Sequence, residues 1–164
     1  MKNSIKTTIA TVIVSSLAAS AVLAGPTAQQ TVTYEVSAIN EISVSSPTVS
    51  LTVNAATAGS APTAASNSST TYAITTNESD RKITGVLNSA MPSGVSLSAS
   101  LAAPTGADSA GPVALTGSAQ DLVTGISTLN ESGKVITYSL SATSAAGVVP
   151  SASKTVTLTV TAGS

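Results

Sequence analysis

The sequence predicts an all-β protein built as an antiparallel β-sandwich. Three observations lead to this prediction. Segments rich in Val and Thr alternate apolar and polar residues with a period of two, turn-forming residues separate these segments, and no long amphipathic helix is visible. The chain also contains no His, Cys, Trp or Phe, so most catalytic and metal-binding chemistry lacks its usual side chains.

The first 24 residues have the pattern of a cleavable signal peptide. Lys2 and Lys6 form a basic head, residues 7–23 carry no charge, and residues 21–24 end the segment with Ala-Val-Leu-Ala. A retained membrane anchor is the alternative, but a spanning helix needs about 20 mainly apolar residues and this run is short. We expect cleavage before Gly25 and export to the periplasm, the cell surface or the medium, without membrane insertion afterwards.

The mature chain, residues 25–164, has the size of one domain and a weakly acidic charge. Removing 24 of 164 residues leaves 140, within the ordinary range for a single domain. Four basic residues stand against seven acidic ones, which gives a formal net charge of −3. Nucleic-acid binding needs clustered Lys and Arg against phosphates, so no nucleic-acid partner is expected. Without Cys, stability must come from the sheets.

The first predicted strand is Thr31–Ala38, which follows a short lead after the cleavage site; together, residues 25–38 are a candidate assembly segment. Its apolar face consists of Val32, Tyr34, Val36 and Ala38. The opposite face carries hydroxyl groups and one carboxylate. Such a strand either begins the protein's own sandwich or adds to the exposed sheet edge of a neighbour.

The same alternation predicts the remaining strands. Longer strands are expected at Thr48–Asn54, Thr70–Thr76, Gly94–Ala102, Val135–Thr143 and Lys154–Thr161. Shorter candidates are Glu41–Ser45, Lys82–Asn88 and Pro112–Thr116. Eight or nine strands of this length are typical of an immunoglobulin-like antiparallel sandwich, for which we expect about 7–9 strands.

The segments between these strands carry turn signals. Asn130-Glu131-Ser132-Gly133 is one predicted turn, and Ser118–Thr124 is expected to form one helical turn at most. The long Ala/Ser/Thr stretch Ala55–Ser69 is predicted to be a surface loop. Thr48–Val53 and Thr155–Val160 are nearly identical, TVSLTV against TVTLTV. We attribute this match to low-complexity strand composition in preference to duplication.

No catalytic residue is expected. A hydroxyl nucleophile needs a base, and Ser151 precedes Lys154 by three residues, but Lys154 opens a strand where its side chain should be solvated. A glycosidase-like carboxylate pair would have to use Glu78 and Asp80, which lie in a turn-rich segment beside Arg81. A solvated turn explains those two carboxylates better.

No metal or cofactor is expected either. Zinc and copper sites rely on His or Cys, and residues 77–80 lack the repeated acidic spacing of a calcium loop. Carbohydrate platforms usually use exposed aromatic faces, whereas Tyr34, Tyr72 and Tyr138 each fall on the apolar side of a predicted strand. Core packing is therefore expected for these tyrosines.

The chain resembles secreted bacterial pilin-type subunits in its signal peptide, its alternating N-terminal strand and its closing strand Thr155–Thr161 near the C-terminus. Residues 76–83, TNESDRKI, also resemble the polar turn entering a strand in Cys-free, alpha-type fimbrial subunits. The resemblance implies that Thr31–Ala38 is a donor strand completing the next subunit, and that the protein forms a fibre with the help of a chaperone or assembly machinery.

Two functions follow as expectations. The first is an exported, non-enzymatic structural subunit that self-associates into a pilus-like or other extracellular fibre. The second is a monomeric, adhesin-like module at the cell surface or in the matrix, which recognises a glycan or protein through its loops, including Ala55–Ser69.

Overall fold

A computed structural model gives the fold and describes residues 25–163. The predicted signal peptide, residues 1–24, lies outside the described residues. The chain divides after Glu35. Residues 25–35 form no regular secondary structure, and both sheets lie in the unit that begins at Val36.

The described part of the chain contains nine β-strands and one short 3₁₀ turn, Ser144–Ala146. The strands are β1 (Asn40–Val44), β2 (Ala65–Thr76), β3 (Arg81–Leu87), β4 (Val95–Leu101), β5 (Asp108–Ser109), β6 (Val113–Ala114), β7 (Gln120–Ile126), β8 (Leu129–Ala142) and β9 (Val156–Ala162). One sheet has the order β1-β2-β8-β4-β6 and the other the order β5-β7-β3-β9. All recorded strand pairs are antiparallel. The predicted all-β class with two antiparallel sheets is confirmed.

Side chains from both sheets join in one apolar cluster, because alternation places every second residue on the inner face. Within residues 25–163 its buried members are Tyr72, Ile74, Ile83, Leu87, Ala99, Leu101, Leu115, Leu122, Val123, Ile126 and Ile136. Tyr72 is the largest of them, and its hydroxyl donates to the Ala102 carbonyl at 2.6 Å. The core therefore accepts an aromatic ring without leaving its polar end unpaired.

The predicted turn at residues 130–133 is wrong, because these residues lie inside β8. Gly133 has a φ of +71°, and the pairing between β2 and β8 shifts register there, from Tyr72 opposite Lys134 to Ile74 opposite Glu131. A left-handed glycine at an extra residue is a β-bulge. The same turn-like residues thus kink a continuous strand instead of ending it.

The sequence also missed β7, where it allowed only a helical turn. Leu122 and Val123 are adjacent and both buried, which breaks the alternation of a regular strand. The pairing with β3 shifts register next to Val123, so a bulge turns two consecutive side chains inward. A search for a period of two cannot detect such a strand.

The predicted loop Ala55–Ser69 is shorter than expected, because β2 begins at Ala65. Its first part is an ordered turn in which the Thr63 amide donates to the Ala55 carbonyl at 2.8 Å. Thr48–Asn54, predicted to be a strand, belongs to neither sheet. Among the residues described, no helix is long and apolar enough to cross a membrane.

Candidate assembly site

The predicted assembly strand Thr31–Ala38, called the arm below, pairs with neither sheet in the described structure. Val32, Tyr34 and Val36 are 73%, 89% and 79% exposed, and Ala38 is exposed as well. The expectation of a half-buried first strand, with Tyr34 in the core, is therefore wrong for the single chain. An alternating apolar face that remains open to solvent is available for a partner.

The root of the arm is held by Asn77, a residue that the sequence places in a polar turn and in the segment considered for calcium. The Ile39 amide donates to Asn77 Oδ1 at 2.7 Å, and Asn77 Nδ2 donates to the Ser37 carbonyl at 2.8 Å. The Asn77 amide also donates to the Ile39 carbonyl at 3.2 Å. These three hydrogen bonds continue the β1–β2 ladder past its last pair, Asn40 and Thr76.

Each sheet ends in two outer strands that differ greatly in length. β5 and β6 contain two residues each, β1 contains five, and β9 contains seven. β9 pairs with β3 on one side only. Its other edge therefore presents the longest open row of backbone donors and acceptors among the described strands.

A cavity of about 500 Å³ lies beside the first half of β9. Residues 154–158 line it together with Val49 and Leu51 and with side chains of the first sheet such as Ile42 and Ile136. A second cavity of about 820 Å³ shares Leu51 and Lys154 with the first and runs on beside residues 147–153. Together the two cavities form a groove with a mixed apolar and polar lining beside β9, which we call the β9 groove.

Part of the groove lining comes from the predicted strand Thr48–Asn54. Val49, Leu51 and Val53 are half-buried while the residues between them are exposed, so the predicted alternation is present without a sheet. No backbone hydrogen bond is recorded for residues 49–54 in the described structure. The two nearly identical segments of the chain, Thr48–Val53 and Thr155–Val160, thus both contribute to the lining of one groove.

Two polar features distinguish the groove from a simple apolar cleft. Lys154 is the only charged residue among those that line it, and its Nζ donates to Ser89 Oγ at 2.7 Å. Thr70 also lines it, is 3% exposed, and its Oγ1 has no hydrogen-bond partner within the described residues. A buried hydroxyl of this kind normally has a partner.

The residues considered for chemistry are engaged elsewhere. Lys154 bonds to Ser89 and has no recorded bond to Ser151. Glu78 accepts from Asn40 and pairs with Arg81, and the hydrogen bond from Asn40 is the main reason that the pKa of Glu78 lies below its usual value. Within the described part of the chain, no three His, Cys, Asp or Glu side chains are grouped to hold a metal ion.

The other two tyrosines pack as expected. Tyr72 is buried, and burial, with a smaller effect from the Glu131 charge, raises its pKa to about 12. Tyr138 packs against the core, and burial raises its pKa as well. Tyr138 is half-buried and also lines the first cavity of the β9 groove.

Comparison with known proteins adds no assignment: no family model, curated protein or solved structure matches this chain.

Proposed function

We propose that this protein is an exported structural subunit that self-associates into a fibre, with the arm of one copy adding to the open edge of β9 in the next. The observation that carries the proposal is the pairing of two exposed features in one chain. One is an exposed segment of alternating apolar residues outside both sheets, and the other is a long open edge beside a groove that contains apolar side chains.

The side chains of the two features are complementary. Burial of Val32, Tyr34 and Val36 contributes about 1.5–3 kcal/mol each before the cost of ordering the arm is subtracted. The same contact covers the half-buried Val49 and Leu51 on the groove wall. Main-chain hydrogen bonds to β9 supply the remaining affinity, as in other cases of strand addition.

The positions of root and groove favour an open chain of subunits over a closed pair. The β2–β3 turn, the arm root at Ile39 and the C-terminal end of β9 lie at one end of the sheets, since Asn77 bonds to Ile39 and Gly163 bonds to Asp80. The groove instead follows Lys154–Leu158 and continues beyond the other end of β9. Donor and acceptor patches that differ in this way give head-to-tail contacts, which propagate.

Two deletions of equal length test the proposal. Removal of residues 31–36 takes away the apolar face and keeps the root at Ser37, whereas removal of residues 25–30 takes away six residues without that face. Sedimentation velocity and electron microscopy of the exported protein should show multimers for the wild type and for the second deletion, and monomers for the first. Multimers of the first deletion at wild-type levels would contradict the proposal.

Export and domain organisation belong to the same proposal. Mass spectrometry of the secreted protein should give a chain that begins at Gly25. Residues 25–164 then form one domain of immunoglobulin-like arrangement, which should unfold in a single cooperative transition. A full-length chain that remains in the cell would contradict export and leave strand addition to be judged by the deletions alone.

The alternative proposal is a monomeric surface or matrix module that binds a glycan or protein through its loops. It is favoured by the exposed Val148, 98% accessible, beside the larger cavity. Wild-type protein that stays folded and monomeric at high concentration would support this alternative, whereas filaments or stable ladders on an unboiled gel would argue against it.

A further inference from the structure

The hydrogen bonds of Asn77 raise a question about the arm that the proposed function leaves open, namely whether it pairs with its own groove or with that of another copy. Asn77 uses its amide oxygen, its amide nitrogen and its backbone N–H on residues 37–39. An asparagine that only formed a turn would not need all three groups for one neighbouring segment.

These bonds keep residues 37–39 in line with β1. Asn40 pairs with Thr76 in the ladder, and Asn77 faces Ile39 as the next pair. After Asn77 the chain turns toward β3, so no further backbone of β2 is available for Ser37. The side-chain amide of Asn77 takes the place of that backbone and extends the ladder by two residues.

The turn that carries Asn77 is itself tied to β1. Thr76 Oγ1 donates to Asn40 Oδ1 at 2.8 Å, and the Glu78 amide donates to Thr76 Oγ1 at 3.1 Å. Asn40 Nδ2 donates to the Glu78 carboxylate, which also pairs with Arg81. Asn77 therefore holds the arm root from a turn fixed by several side chains.

This clamp directs the arm root away from the chain's own groove. β1 runs from Asn40 to Val44, and the groove is lined by residues 42–44 of that strand and by residues beyond it such as Val49 and Leu51. Residues 37–39 continue β1 at its other end, so the root leads away from that lining. A root that turned back at residues 37–39 would lose its bonds to Asn77.

We propose, resting on the proposed function, that Asn77 is a positioning residue that commits the arm to a neighbouring copy of this chain. With the clamp closed, the root leads away from its own groove and presents the arm to the groove of another subunit. With the clamp removed, the root can reverse, and the arm can fill its own groove and leave a capped monomer.

The test uses two variants and one control in the mature protein. Asn77→Ala removes both side-chain bonds, whereas Asn77→Asp keeps the acceptor for Ile39 and loses the donor for Ser37. Asn130→Ala is the matched control, because Asn130, like Asn77, is exposed and followed by Glu-Ser, and it has no recorded side-chain bond. Each lost hydrogen bond should change the equilibrium between the closed and open clamp by about two- to tenfold.

Two measurements separate positioning from simple stability. Sedimentation velocity should show self-association roughly 5- to 100-fold weaker for Asn77→Ala, with Asn77→Asp between it and the wild type. Hydrogen exchange on isolated monomers should show that residues 31–38 are protected in Asn77→Ala and unprotected in the wild type and in Asn130→Ala. Thermal unfolding should move little for all three variants.

The outcomes distinguish this inference from the proposed function. If the wild type forms multimers that depend on residues 31–36, and Asn77→Ala forms them equally well, the inference is overturned and the proposed function stands. Asn77→Ala monomers with an unprotected arm also overturn the inference, because they show loss of rigidity without pairing in the same chain. A wild type that never associates overturns both.

Discussion

Replacement of Val32 and Val36 by Thr tests whether the apolar face of the arm drives association. Thr has nearly the shape of Val and a similar preference for strands, so the substitution changes polarity with little change in form. Both side chains are largely exposed in the single chain. Stability of the isolated subunit should therefore stay within about 0.5 kcal/mol of the wild type.

The expected loss of association follows from what happens to the new hydroxyl groups in the groove. Each of the two positions would bury a hydroxyl against apolar walls such as Leu51 and Leu158. Burial of an unpaired hydroxyl costs about 1–3 kcal/mol in proteins. The double variant should lose about 2–6 kcal/mol of association free energy, which is roughly 30-fold to 10⁴-fold in the association constant.

Sedimentation equilibrium over a range of concentrations measures this constant directly. Thr33→Val is the matched control, because Thr33 lies on the opposite face of the arm and is exposed. The control should associate within about threefold of the wild type, a difference below 1 kcal/mol. Equal association constants for the double variant and the wild type would refute the reasoning. An equal loss of association for the double variant and for Thr33→Val would show that Val32 and Val36 are wrongly assigned as the binding face of the arm.

Three further predictions concern the subunit itself. Tyr72→Phe should cost about 1–2 kcal/mol at pH 7, measured by urea unfolding, because the Ala102 carbonyl loses its donor. Burial raises the pKa of Tyr72 from 10.0 to about 12. Stabilisation by the neutral hydroxyl is therefore complete below pH 10 and is lost as pH rises toward 12, so the free energy of unfolding should fall more steeply over that range for the wild type than for Tyr72→Phe; parallel curves would contradict this. Lys134 and Thr105 lower the pKa of Glu131 from 4.5 to about 2. The contribution of the Glu131 carboxylate to the free energy of unfolding is therefore present above pH 4.5 and lost as pH falls toward 2. Glu131→Gln should not show this loss of stability between pH 4.5 and pH 2 in acid unfolding. Gly133→Ala should lower the free energy of unfolding by about 1 kcal/mol in the same urea assay, because Gly133 has a left-handed φ of +71° although the space around it is open. An unchanged urea midpoint would exclude strain at the bulge.

The alternation of the sequence predicted the strands that have one regular buried face. β4 and β9 lie within one or two residues of their predicted bounds, because each presents alternate side chains to the core throughout its length. β7 and residues 130–133 of β8 were missed or misread for one shared reason. A bulge changes which face a residue occupies, and nothing in local spacing reveals the partner strand that creates it.

The candidate site was only half accessible from the sequence. The apolar face of Thr31–Ala38 can be read from four alternating residues, and its exposure is consistent with a binding role. The groove cannot be read in this way, because its lining comes from several distant parts of the chain, among them residues 42–56, 136–142 and 147–158, which only the folded sheets bring together. Asn77 carries the signal of a turn, and its contact with residues 37–39 depends on where β1 and β2 end.

Two segments that line the groove differ in their backbone hydrogen bonds, and this difference gives assembly a consequence for stability. β9 has one satisfied side through β3, whereas residues 49–54 have no recorded backbone hydrogen bond although their alternate side chains are half-buried. In the proposed fibre an arm in the groove can bond to these free backbone groups, and it can supply a partner for the buried Thr70 hydroxyl. Because such an arm binds the folded subunit and not the unfolded chain, every subunit with a filled groove unfolds at higher free energy than the terminal subunit whose groove is empty. Unfolding of the fibre should therefore begin at that end.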